Sequence, residues 1–448
     1  MIEQRFIWQR HAEAEQWVLK CLEDFCEKNP NLQYLSEKFL QQASCRLYDW
    51  VDHLLLSDSP ALRRQLSGLG FELLPDMVQT VYSHPGALLP DIVLLGDSAG
   101  IESGVTLLVE CVSEFLQVNG FSTEIEGSPF SAYRRALLGV TGDISLSVAE
   151  RRVRRVFEPQ GLTDAELRDY LAALELWQCR PRSSTDEDLA WKETQRLAEQ
   201  LTTQLGKDRA AQVVCLGERT YWQSRNLIGR LQKGRQDILG LGWANHDHHT
   251  FRSSRRNFVH LVNLFTTLGF HCRERFYAGR EAGWGAQVME NPEAGLSLFL
   301  DVDLAPEEVT TDFSRQELPE QEQLGTIGLW CALHGDSIFE AGMHHLAARC
   351  DFLRLDEDIA RHGQRFMAPF SDFPYLKQAF SVAERWQPDS ARVNSLVESG
   401  KISAEQGDKF IEEGAVGSHL ENIQRSEGYK GFNKKNVSAI ILETDPRK

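Results

Sequence analysis

Apolar residues recur every three or four positions near the start of the chain, at Trp17, Val18, Cys21, Leu22 and Phe25. That period predicts helix over residues 5–57, broken by a short loop at Lys28-Asn29-Pro30-Asn31. The same spacing predicts helix again from 146 to 210, with Ser, Thr and acidic residues where N-caps stand and a surface loop at PRSSTDED, 181–188. A second unit recurs elsewhere: a short amphipathic helix, a glycine turn, then an extended segment. It occurs at LRRQLSGLGFELLPD (62–76), VSEFLQVNGFSTEIEG (112–127), FVHLVNLFTTLGFHCRERFYAG (258–279) and LDEDIARHGQRFM (355–367). The glycine in each lets the chain reverse after its helix. The runs WGAQVMEN, GLSLFLDVDL, TIGLWCALHG and NVSAIILETD read as strands beside the two later units. Strand, helix, then several strands is the order of an α+β protein.

Composition narrows the function classes. A net charge of −17 argues against a general nucleic-acid binder, because phosphate affinity needs clustered Lys and Arg. The small basic patch of Arg151-Arg152 with Arg154-Arg155 reads as a solvated helix face. Nine cysteines stand singly with no CxxC pair, as reduced thiols do in a cytoplasmic protein. The charged N-terminus has no apolar core of a signal peptide, and no apolar run nears the roughly 18 residues of a membrane helix. A cytoplasmic location without membrane contact is therefore expected.

The chemistry concentrates at WANHDHHTFRSSR, 243–255. His248 and Arg252 are spaced H-x-x-x-R, and His345 and Arg349 repeat that spacing in AGMHHLAARCDF. Each pair precedes a helix-glycine unit, so two equivalent strands would each present a histidine near one point. Strict alternation would set His246, His248, Thr250 and Arg252 on one face, with Asp247, His249 and Phe251 on the other. Arg252 would then lie roughly 13 Å along the strand from His248, at about 3.3 Å per residue. An arginine there suits the far carboxylate of a small acid. Two neutral histidines and a carboxylate on one face of a divalent metal leave other positions open, as Fe(II) oxygenases require. The acid could be Asp301, Asp303, Glu340 or Glu443. His84 and His334 read as turn residues, and His246 and His249 as solvent-facing.

At these residues the chain resembles the iron-dependent 2-oxoadipate dioxygenase/decarboxylases, or hydroxyglutarate synthases, of the vicinal-oxygen-chelate superfamily. DHHTFR is similar to that family's Asp-His-x-x-x-Arg strand, IGLWCALHGDSIFEAGMHHLAAR to its second module, and SAIILETDPR to its closing Glu-bearing strand. The likeness covers roughly 240–448. It implies paired βαβββ modules curving around a metal site, with Fe(II) held by His248, His345 and Glu443. It also implies Arg252, with Arg349 as a second candidate, on the carboxylate of a 2-oxo acid that reacts with O2. The family carries Asn before its second histidine; His344 stands here, so His344 and His345 both remain candidates. The expected organisation is an α+β region over 1–145 with a possible degenerate module, a helical connector over 146–235, and a metal-binding domain over 236–448 with an insert at about 370–429. The alternatives are a non-catalytic binding or scaffold protein on this fold, or a metal-dependent isomerase or hydrolase.

Overall fold

The structure is a computed structural model that describes residues 8–96, 103–277, 283–433 and 444–448. Its strands fall into four groups, each a strand, a helix and a return of further strands. The first group is β1 Val51–Ser57, helix Pro60–Gly68, β2 Glu72–Leu73, β3 Thr80–Ser83 and β4 Asp91–Leu95. The second is β5 Ser103–Leu108, helix Val112–Asn119, β6 Ile125–Glu126, β7 Tyr133–Thr141 and β8 Ile144–Arg151. The third is β9 His246–Arg252, helix Phe258–Thr267, β10 His271–Tyr277, β11 Trp284–Asn291 and β12 Leu296–Asp303. The fourth is β13 His345–Arg349, helix Phe352–Ala360, β14 Ser371–Phe373, β15 Leu376–Phe380, β16 Glu384–Trp386 and β17 Ala415–Arg425. The four expected glycines, Gly70, Gly120, Gly269 and Gly363, all have positive φ after their helices, a conformation that costs other residues roughly 1–2 kcal/mol.

Two sheets result, ordered β2-β3-β4-β1-β5-β8-β7-β6 and β10-β11-β12-β9-β13-β17-β15-β14, with β16 on β17. In every group the first strand runs parallel to the last, and the two groups of a sheet join through antiparallel first strands, β1 with β5 and β9 with β13. Paired βαβββ modules of this kind make the fold α+β and vicinal-oxygen-chelate-like. The first 150 residues hold one such pair. The stretch expected as an insert, 370–429, supplies β14 to β17; only the helices Ser390–Glu398 and Ala404–Glu413 interrupt the module pattern.

Three periodicity readings are corrected. Helix over 5–57 ends at Ala43, and VDHLLLS is β1; SVAER is part of β8. Both are short runs buried among neighbouring strands, where helical and strand periods look alike. TIGLWCALH, read as a strand, is the helix Thr326–His334, buried on nearly every side. Its N-terminus is capped by Asp303, which accepts from the Ile327 and Gly328 amides at 3.0 and 2.7 Å.

Helices Asp164–Gln178, Glu187–Leu205, Lys207–Ser224 and Leu227–Asp237 connect the sheets. They are anchored by Glu218, which is fully buried. Its carboxylate accepts from Trp177 Nε1 at 2.8 Å and from Arg182 at 2.9 and 3.0 Å, and it pairs with Arg180 at 2.8 Å. Arg180 and Arg182 also reach the carbonyls of Ile338 and Phe339, tying the helices to the turn that precedes β13. Burial pushes the Glu218 carboxyl up, but the two guanidiniums outweigh it and hold it below 4.5. Glu218→Ala should cost about 3–5 kcal/mol by leaving two buried cations without their acid. Urea denaturation at pH 7 measures this. Because the folded value is depressed, the difference between wild type and variant should be full above pH 4.5 and shrink on acidification below it.

Candidate metal centre

β9, β13 and β17 are neighbours in the middle of the second sheet. In register, Ala347 of β13 lies opposite His248 on one side and Glu421 on the other. His345 stands two residues along the same face of the middle strand. Three side chains thus converge over one alanine. His248 Nε2 lies 3.2 Å and His345 Nε2 3.1 Å from Glu421 Oε2, and one donor atom of each residue falls within 4.8 Å of the others. Their exposures are 3, 5 and 2 %. This is the one such group of His, Cys, Asp and Glu among the described residues.

The far side of each group is fixed. His248 Nδ1 donates to Asp247 Oδ1 at 3.0 Å, and Arg425 grips Asp247 through two bonds of 2.9 and 3.1 Å. The Nδ1 atoms of His345 and His344 share a hydrogen bond at 2.9 Å. Gln378 Nε2 donates to Glu421 Oε1 at 2.8 Å, leaving Oε2 toward the histidines. Trp222 and Asn226 of the connecting helices donate to Ser418 Oγ at 2.7 and 3.0 Å, and Ser418 donates to the His344 carbonyl at 2.8 Å. These bonds hold β17 and β13 at the register that brings the donors together.

Burial works against every charge here, so the shifts report the partners. Burial would raise the Glu421 carboxyl, yet His248 and His345 hold it down at about 2. Burial would lower His248, yet Glu421 and Asp247 raise it to about 9. Burial brings His345 down to about 4, so its ring is neutral. A divalent cation among these atoms would do for the buried carboxylate what a proton on His248 otherwise does. Two imidazole nitrogens oriented through their second ring atoms, with a carboxylate oxygen, fit such an ion.

Arg252 is fully buried two pleats beyond His248, with its guanidinium over the Trp330 ring at 5.5 Å. Nη2 donates to Thr444 Oγ1 at 3.3 Å, while Nε and Nη1 have no partner among the described residues. Burial lowers it to about 10, which leaves it charged at neutral pH. Arg349 lies at the opposite end of its strand, on a different cavity with His246. Asp301, beside Arg252 in register, is buried and pushed up to about 7 by burial, against the pull of Arg252 and His248. Asp303 is used as the helix cap, and Glu340 pairs with Arg392 at 3.0 Å. Glu443 lies outside the described residues.

Strict alternation fails in β9. The register slips between His248 and His246, so Asp247 bulges and His246 meets His249 at 5.2 Å. His249 is fully buried and His246 half-buried, not solvent-facing; His84 is buried in its loop, and His334 is buried as the last residue of a helix. Glu421 was the residue that sequence reasoning passed over. It sits in AVGSHLENIQR, a strand buried along nearly its whole length, so no alternation singled it out.

The first sheet repeats the scaffold with one of the three donors. His53 Nδ1 donates to Asp52 Oδ2 at 2.7 Å, and Arg151 grips Asp52 at 2.6 and 2.8 Å. Arg151 is thus a buried strand-end clamp, not part of a solvated helix face. His53 lies opposite Thr106, and Thr106 opposite Ser147, matching the row His248, Ala347 and Glu421. Gly104 stands where His345 stands.

No family model and no curated protein sequence matches the chain. Among solved structures, a triple mutant of 4-hydroxymandelate synthase from Streptomyces coelicolor is 13% identical, covering 89% of this chain and 98% of its own, with a TM-score of 0.30. A putative hydrolase from Shewanella frigidimarina is 13% identical over 49% of this chain and 97% of its own, TM-score 0.34. Methylmalonyl-CoA epimerase from Mycobacterium tuberculosis is 11% identical over 41% and 89%, TM-score 0.24. The topology, not these scores, carries the fold. No described helix is long and apolar enough to cross a membrane.

Metal analysis checks the centre. The wild type should take up one divalent ion per chain, and His248→Ala and Glu421→Gln should lose it. Asp247→Asn should weaken metal affinity by about 10–100-fold by releasing the His248 ring.

Proposed function

We propose that the chain is a non-haem Fe(II) dioxygenase/decarboxylase that turns a 2-oxo acid and O2 into CO2 and a 2-hydroxy acid one carbon shorter. The observation that carries this reading is one buried face: two histidine Nε2 atoms within 3.2 Å of a single Glu421 oxygen, and further along the same strand a guanidinium whose Nε and Nη1 have no partner among the described residues. Two imidazoles and a carboxylate are the donor set of non-haem iron oxygenases. Iron held by these residues would supply Lewis acidity and O2-activating redox chemistry.

The protein's own residues have separable tasks. His248, His345 and Glu421 hold the ion, and Asp247, His344 and Gln378 hold them. Arg252 would receive a second carboxylate on Nε and Nη1, orienting the acid along β9. Phe299 and Phe432, at 4.7 and 5.2 Å from the His248 ring, and Phe380, at 4.8 Å from the His345 ring, keep water from that face. A six-carbon 2-oxo diacid gives CO2 and a five-carbon 2-hydroxy diacid, with both atoms of O2 retained in the products.

The test is O2 uptake by anaerobically loaded protein with a series of 2-oxo mono- and diacids. One CO2 should be released per O2 consumed, with Fe(II) active and Zn(II) inactive. Arg252→Gln should raise KM for a diacid by roughly 10–100-fold, the worth of one or two charged hydrogen bonds. Iron-loaded protein that consumes no O2 with any of these acids, or turnover that survives Glu421→Gln, would refute the proposal.

A further inference from the structure

We infer that the space between the two sheets is a second ligand site, separate from the metal centre, that takes a small polyanion: a phosphorylated or multiply carboxylated molecule. A cavity of about 760 Å³ opens there, walled by both sheets and by the helix Lys207–Ser224. That is ample for a metabolite-sized ligand. Ten arginines and lysines line it against seven aspartates and glutamates. The lining thus carries a surplus of three positive charges within a chain of net charge −17. A cavity that reverses the sign of the whole protein focuses a field for anions.

The pairing pattern locates the surplus. Asp52 is held by Arg151, Asp247 by Arg425 and Glu110 by Arg219. No described carboxylate pairs with Arg154, Arg349 or Lys430. The Arg349 Nε is buried without a hydrogen-bond partner, as is the Arg134 Nε on the facing sheet. Lys430 is half-buried near Glu290, Arg273 and Arg154, and burial with the two like charges lowers its ammonium below the ordinary value against the pull of Glu290. Cations that outnumber the carboxylates of a partly enclosed space are costly unless something anionic comes between them. The H-x-x-x-R arginine of β13 thereby acquires a role apart from the metal. Phe432 separates the two compartments: it lines this cavity and packs its ring 5.2 Å from the His248 ring.

Titration calorimetry of the full-length protein with inorganic pyrophosphate, and separately with citrate, tests this and tells phosphate from carboxylate ligands. One of the two should saturate a single site. Arg349→Gln and Lys430→Gln should each weaken that binding roughly tenfold, the loss of a charged hydrogen bond. Arg256→Gln, an exposed arginine outside these walls, should leave it unchanged. Should Arg349→Gln fail to fold, Arg349→Lys, which loses the planar fork, should still weaken it. Glu421→Gln, which empties the metal centre, should keep the isotherm, so the outcome is independent of the oxygenase reading. The inference is overturned if neither probe saturates, if removing charge at both 349 and 430 leaves the affinity unchanged, or if binding disappears with Glu421→Gln.

Discussion

A carboxylate removed from water has to be neutralised within a few ångströms, and Glu421 is removed from water almost completely. The effective penalty for such an ion is several kcal/mol. It is offset by Gln378 on one oxygen and by two imidazoles on the other. Each imidazole is useful only if its own second nitrogen is occupied, which draws in Asp247 and His344, and Asp247 in turn requires Arg425. The strand register, the helix hydrogen bonds to Ser418 and the charge network all serve the confinement of this acid. The aromatic rings around it then make the confinement strict by excluding solvent.

The comparison between sheets separates scaffold from chemistry. Asp52, His53 and Arg151 reproduce Asp247, His248 and Arg425 in partner, atom and strand position. With Gly104 and Ser147 at the other two positions, the first sheet has nothing to complete the ligand set. The arrangement survives there because it also anchors the chain. Arg151 binds the carbonyls of Val153, Arg154 and Val156 after β8, and Arg425 those of Tyr429 and Gly431 after β17. One ion pair therefore both steadies a histidine and turns the backbone away from the sheet.

What the amino-acid pattern made legible was local and backbone-driven. The helix-glycine units were readable because a left-handed residue after a helix demands glycine. His248 and Arg252 were readable because their spacing recurs with His345 and Arg349. The parts that escaped were decided by packing. Glu421 lies in a strand buried on both faces, so period two is erased, and two helices separate it from the rest of its module. Thr326–His334 is buried nearly all round, so its apolar run shows no helical stripe. The β9 bulge moves Asp247 to the back of the His248 ring, a displacement that no alternation rule anticipates. The arginine of β13 shares a motif with Arg252 but runs antiparallel to it, and that alone sends it to the other cavity.

Ala347 has the least chemistry of any residue in this centre and sets its size. Its methyl is the floor on which three donors from three strands meet, flanked in register by His248 and Glu421. A branched or longer side chain at that point would stand among the three donor atoms and push the side chains of the outer strands apart. Of the two alanines in the middle strand, the one at 347 is the one whose size the three donors meet.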